Sequence, residues 1–226
     1  MLYVGTVIGI VVGNRAAHAA GLDAFRVWLA TLVLFAAALA GARLLFVAEH
    51  WSAYRHNLGR IFNRNEGGAA QYGGLLVAVP LSWPLLAILK VPFAMFWDIG
   101  VITILVAMAI TRVGCLLNGC CAGAPSRYLG INLPNHRGEW RRRVPTQLLE
   151  SVFAMVLLVW GLNLWSDLPG PGALFLLMTG SYAAGRLALE SAREHEPQQR
   201  GFNLQHTISL LISMVSFSSL ALLWRG

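Results

Sequence analysis

The chain has 226 residues, 57% hydrophobic and only 12% charged, where an ordinary soluble domain carries about 25% charged residues, and its mean hydropathy is +0.61. This excludes a cytosolic enzyme, a disordered tail and a disulfide-rich secreted domain, because several apolar runs approach the roughly 20 residues a helix needs to cross a bilayer. The net charge of +7 comes from 17 basic against 10 acidic residues, and every basic residue except Lys90 is arginine. Arginine grips phosphate with a planar fork of donors, so the indicated partners are the membrane and its anionic phospholipids, with no nucleic acid.

In chain order, apolar runs between charged punctuation predict seven helices, over 1–13, 27–48, 69–89, 93–111, 147–165, 172–189 and 204–224. The first stops at Asn14-Arg15; lacking a basic leader and a convincing cleavage site, it is expected to be a membrane helix and not a signal peptide. The segment 112–146, with Asn118-Gly119, Gly123, Pro125, Gly130, Pro134 and Gly138, is expected to form a small polar cap between the fourth and fifth helices. No repeat or soluble second domain interrupts the pattern. The expectation is an all-α polytopic membrane protein, one integral domain over 1–226, with about seven transmembrane helices and the active-face loop at 112–146.

Arg43 lies in Ala40-Gly41-Ala42-Arg43-Leu44, toward the end of an apolar helix, where a charge needs a partner or a wet cavity unless it snorkels to the interface. Gly67-Gly68 and Gly73-Gly74 flank Tyr72, and glycine pairs at a helix start let backbone N–H groups approach an anion or a neighbouring helix. The stretch Arg112-Val113-Gly114-Cys115-Leu116-Leu117-Asn118-Gly119-Cys120-Cys121-Ala122-Gly123 holds all three cysteines. Reactive thiols beside arginine, a Cys115 disulfide with Cys120 or Cys121, and small packing residues are the open readings. The spacing matches no zinc pattern, so no metal or other cofactor is expected. Glu150 stands about one turn inside the fifth helix, behind Pro145-Thr146-Gln147. Arg186 and Glu190 close the sixth helix at i and i+4, near enough to pair. His206 is either a base or a hydrogen-bonded residue at the edge of the seventh helix, and Asp98 reads as structural.

At these motifs the sequence resembles the prolipoprotein diacylglyceryl transferase family. The resemblance runs from about Gly21 onward, through Gly41-Ala42-Arg43-Leu44-Leu45-Phe46-Val47, Tyr72-Gly73-Gly74, Arg112-Val113-Gly114 to Gly123, Pro145-Thr146-Gln147-Leu148-Leu149-Glu150, and Gly185-Arg186 with Glu190. It implies a seven-helix bacterial inner-membrane enzyme that moves diacylglycerol from phosphatidylglycerol to the cysteine thiol of a prolipoprotein signal peptide and releases glycerol phosphate. The resemblance casts Arg112 and Arg186 as phosphate-side arginines, Glu150 and Glu190 as membrane-edge carboxylates, and Arg43, Tyr72, Gly73, Gly74, Asn118 and Gly123 as shaping the substrate pocket; His206, outside these motifs, is a further substrate-binding candidate on its residue type alone. Where the family has a histidine before the glycine pair this chain has Tyr72. Cys115 and Cys120 stand where the family signature has asparagine and glutamate. The phosphate-handling half of the site thus matches more fully than the thiol-activating half.

Two alternatives follow from those departures: a divergent phospholipid-binding homologue with a different acceptor or a cysteine-based thiol or redox role, and a non-enzymatic lipid-binding membrane protein. Orientation is the remaining expectation. Seven alternating spans put twelve arginines on one face, among them Arg60, Arg64, Arg137, Arg193 and Arg200, against Arg15, Arg26, Lys90 and Arg225 on the other. The positive-inside rule taken alone makes the rich face cytoplasmic. The resemblance puts it in the periplasm, and an enzyme acting on an anionic lipid has reason to keep arginine at its active leaflet.

Overall fold

The computed structural model describes residues 1–55, 57, 59, 71–121, 123–128, 130–134, 138–191 and 204–225. The expected Gly67-Gly68 pair and Arg60, Arg64, Arg137, Arg193 and Arg200 lie outside them. The described chain is mostly helical: α1 Leu2–Ala19, α2 Ala24–Glu49, the single turn α3 Trp51–Tyr54, α4 Gln71–Leu89, α5 Phe93–Leu117, α6 Thr146–Leu164, α7 Ala173–Ser191 and α8 Leu204–Arg225. Among the described residues, four stretches are long and apolar enough to cross a membrane, Ala24–Ala48, Phe93–Leu117, Thr146–Asp167 and His206–Arg225, and Gly73–Leu89 is a shorter apolar helix. Trp83 and Ile88 are 75% and 77% exposed, which suits side chains that face lipid and not water.

Two expectations about boundaries change. The first helix does not stop at Asn14-Arg15 but runs on to Ala19, because an i to i−4 ladder tolerates one polar turn once the preceding face is packed. The fourth predicted helix runs on to Leu117, which puts Arg112 and Cys115 on α5 and not in the cap. The cap also contains a β-hairpin, a departure from an all-α chain: β1 (Ile131–Pro134) pairs antiparallel with β2 (Trp140–Arg143), with Ile131 opposite Arg143 and Pro134 opposite Trp140.

The chain divides into two compact units. The smaller, Ala17–Phe96, pairs α2 with α4. Asp23 caps α2 by accepting hydrogen bonds from the backbone N–H of Phe25 and Arg26 at 3.0 and 3.1 Å. Gly41 of α2 meets the backbone of Gly73 on α4, the small-residue approach by which helices pack where lipid removes the hydrophobic drive. Pro80 and Pro84 lie inside α4, placements that membrane helices accommodate better than water-exposed ones.

The larger unit, Met1–Ala16 and Trp97–Gly226, centres on Val101, Ile102, Leu105, Val106 and Ala109 of α5, Ala154, Leu157 and Leu158 of α6, and Leu174 and Met178 of α7. Gly5 and Gly9 let α1 close on α5; a Cβ on Gly5 would lie 2.6 Å from the Ala107 carbonyl oxygen. Asp98, buried at the start of α5, accepts hydrogen bonds from the N–H groups of Gly172 (2.7 Å) and Phe175 (2.8 Å) and so caps α7. That cap aligns the starts of α5 and α7. Their C-terminal ends, and the start of the intervening α6, therefore come together at the opposite end of the unit.

Candidate active site

Arg112 lies 14 residues along α5 from Asp98, about 20 Å at 1.5 Å per residue. It meets the first turns of α6 and the last turns of α7 there. Glu150 of α6 is the hub. Its Oε2 is 2.6 Å from Arg112 Nε, and its Oε1 accepts a hydrogen bond from Arg186 Nη1. Arg186 Nη2 donates to Glu190 Oε2 at 2.6 Å, one helical turn further on. The exposure of these side chains is 2% for Glu150, 9% for Arg186 and Glu190, and 11% for Arg112. Two cations and two carboxylates balance, as buried charge requires, and a bound phosphate would meet guanidiniums already aimed by their carboxylates.

Tyr182 belongs to the same group. It is partly buried on α7 one turn before Arg186, its hydroxyl interacts electrostatically with Glu150, Arg112 and Arg186, and its ring stacks on Phe153 of α6 at 6.1 Å. The sequence reading missed it. The available signal was the spacing Tyr182, Arg186, Glu190, which is i, i+4, i+8 on one helix face. Two further residues were seen in sequence only as part of a helix start. Thr146 Oγ1 donates to the Cys121 carbonyl at 3.0 Å and Gln147 Nε2 to the Cys120 carbonyl at 2.7 Å, which fastens the cysteine turn to the head of α6.

That turn draws the three cysteines together. Cys115 is on the last turns of α5, Gly119 and Cys121 have φ of 65° and 58°, and all three Sγ atoms fall within 4.8 Å of one another. None is in a disulfide. A non-glycine residue in the left-handed region costs roughly 1 kcal/mol and is held only where its surroundings impose it; here the Thr146 hydrogen bond does so. Burial pushes the Cys120 thiol above its ordinary pKa.

The signatures that carry these side chains belong to a chain that a family model matches along its length. The family model for prolipoprotein diacylglyceryl transferase aligns with residues 1–224. The chain belongs to that family. A phosphatidylglycerol–prolipoprotein diacylglyceryl transferase of Dehalococcoides mccartyi is 29% identical over 206 residues, covering 89% of this chain and 78% of its own. One of Clostridium botulinum is 27% identical over 219 residues, covering 93% and 85%.

Of the residues expected in this diacylglyceryl transferase-family site, Arg112, Glu150, Arg186 and Glu190 meet directly. Gly123 is buried, and a Cβ there would run into the Val144 carbonyl and the Thr146 methyl, so it serves the fit of the cap. Asn118 is exposed at the end of α5. His206, at the head of α8, has a buried Nε2 without a hydrogen-bond partner among the described residues. Arg43 belongs to the smaller unit, where its guanidinium lies 5.7 Å from the ring centroids of Phe46 and Tyr54. Gly73 and Gly74 are also in that unit and form the close contact with α2, Gly74 against Ala38. Tyr72 is in α4, and its side chain lies outside what the structure describes.

Proposed function

We propose that the protein is an inner-membrane transferase with seven spans and a periplasmic active face. It moves the diacylglyceryl group of phosphatidylglycerol to the cysteine thiol of a prolipoprotein signal peptide and releases glycerol phosphate. The observation that carries this reading is the buried Arg112–Glu150–Arg186 bridge. In the transfer a sulfur–carbon bond forms at the glycerol carbon and the carbon–oxygen bond to phosphate breaks, so negative charge grows on the leaving phosphate oxygen. Preorganised guanidiniums in a water-poor site stabilise that charge without reorganising as it develops. Glu150 meets Arg112 at Nε, and a guanidinium carries five N–H donors, more than one carboxylate oxygen takes up. Glu150 and Glu190 act as positioning residues: they keep two long side chains in one conformation and spare the reaction that ordering cost.

The test is transfer of labelled diacylglycerol from phosphatidylglycerol to a lipoprotein signal peptide by the purified protein, with Arg112→Ala alongside. Transfer that depends on Arg112 is the expected result. Binding of the lipid without transfer would favour the second reading, a phospholipid-binding relative with another acceptor, which Cys115 and Cys120 at the family's asparagine and glutamate positions support.

A further inference from the structure

The three cysteines lie where the family signature departs most, and the mechanism above leaves the activation of the acceptor thiol without a histidine. Their sequence pattern suggests no metal because it lacks paired knuckles. The fold assembles them another way: Cys115 comes from the end of α5, and the left-handed turn at Gly119 and Cys121 folds Cys120 and Cys121 back over it. The Cys120 N–H donates to the Cys115 carbonyl at 3.1 Å, and the Thr146 and Gln147 side chains hold the far side of the turn. With the Sγ atoms within 4.8 Å of one another, a small contraction gives the S···S spacing of about 4 Å that three thiolates adopt around one ion at metal–sulfur bonds of about 2.3 Å.

We propose that Cys115, Cys120 and Cys121 bind a divalent d10 cation of the zinc or cadmium class, whose remaining coordination position takes the acceptor thiol as its thiolate. Three thiolates and a divalent ion carry a net charge of −1. The acceptor thiolate would bring the centre to −2; Arg112 interacts electrostatically with both Cys115 and Cys121 and lies three residues before Cys115, on the same face of α5, so its guanidinium, shared with Glu150, favours negative charge on the sulfurs without cancelling it. The same guanidinium belongs to the phosphate-side cluster, so a thiolate held on the ion is adjacent to the group that binds the leaving phosphate. In the step, coordination releases the thiol proton to water and the sulfur then forms its bond to the glycerol carbon. The carbon–oxygen bond breaks with its electron pair on the phosphate oxygen, and the thioether product, a weak ligand, leaves the ion. No oxidant or reductant is needed. The thiol-binding step rests on the transferase reading; the metal site does not.

The experiment uses the full-length protein in detergent, reduced and stripped with a chelator, then titrated with Cd²⁺. A thiolate-to-cadmium absorption saturating at one equivalent is expected, with all three cysteines protected from iodoacetamide. A signal peptide carrying the acceptor cysteine should shift that absorption, and its serine counterpart should not. Cys115→Ser, Cys120→Ser and Cys121→Ser should each weaken Cd²⁺ binding by at least the roughly 10- to 100-fold that loss of an outer-shell partner costs a metal site. Cys121 is exposed, so its variant is the one to rely on if the others misfold, with unchanged circular dichroism as the check. No absorption at one equivalent, undiminished binding in Cys121→Ser, or a Cys115–Cys120 disulfide in a protein that binds no cadmium after reduction would overturn the site. Full-rate transfer by stripped protein would overturn the proposed role and keep the transferase reading. Binding of cadmium and peptide thiol with no transfer would do the reverse.

Discussion

Removing the Glu150 charge leaves two guanidiniums, each about 10% exposed, with no anion between them. Glu150→Gln is therefore expected to cost roughly 3–5 kcal/mol of stability, as breaking a buried pair does, and to lower transfer on the order of 10²-fold, because both phosphate-side arginines lose their aim. Thermal unfolding in detergent and the initial rate of transfer check the two effects separately; a variant with the parent's melting temperature and rate would remove Glu150 from the centre of the site. Cys120 behaves differently at the same scale. Its thiol is neutral at neutral pH because burial disfavours the thiolate, so alkylation of the Cys120 peptide in metal-free protein should rise about tenfold per pH unit and level off only above the ordinary thiol value of about 8.5. The sign for stability follows. The fold favours the protonated form, so the contribution is complete below the unfolded thiol's pKa and is lost as pH climbs through the folded one. Levelling off below pH 8 would contradict the burial of this thiol.

At the scale of elements, the site depends on how closely α6 and α7 approach. Gly185 precedes Arg186, and a Cβ on it would enter the Phe153 ring. The ring is part of a close-packed layer and has little room to give. Gly185→Ala should separate the two helices by a few tenths of an ångström or more, lower the melting temperature, and reduce transfer although no charged group has changed. Gly170 is the control, because an added Cβ there meets nothing within 4 Å; Gly170→Ala should leave melting temperature and rate near the parent's. Equal effects of the two substitutions on melting and rate would mean that the α6–α7 contact does not position Arg186.

For the molecule as a whole, the question is which side of the membrane the cap faces. Tyr128, in the cap, is 92% exposed, which makes Tyr128→Cys in a background with the three native cysteines replaced by serine a suitable reporter. With a periplasmic active face, a membrane-impermeant maleimide should label it in intact spheroplasts as fully as in lysed ones. Labelling only after lysis would turn the molecule over and restore the positive-inside reading of its arginine-rich face. Exposed apolar side chains such as Trp83 and Ile88 keep the helices in lipid in either orientation. Core packing is therefore the same in either orientation, and the labelling distinguishes the two.

Composition and apolar run length sufficed to determine a mostly helical chain with membrane-length apolar stretches, because a bilayer sets a minimum length for a span, but not where α1 and α5 end. The spacing of Arg186 and Glu190 likewise foretold their pairing, since i and i+4 share a helix face wherever the helix lies. What needed the tertiary structure was every relation between helices. Glu150 bridges Arg112 and Arg186 because the Asp98 cap sets α5 and α7 side by side. Tyr182 joins them because Gly185 admits Phe153, and the cysteines converge because Thr146 and Gln147 bind the turn above α6. These contacts join residues up to 77 positions apart. Local periodicity records which face of a helix is apolar but not which neighbour that face meets, so they follow from packing alone.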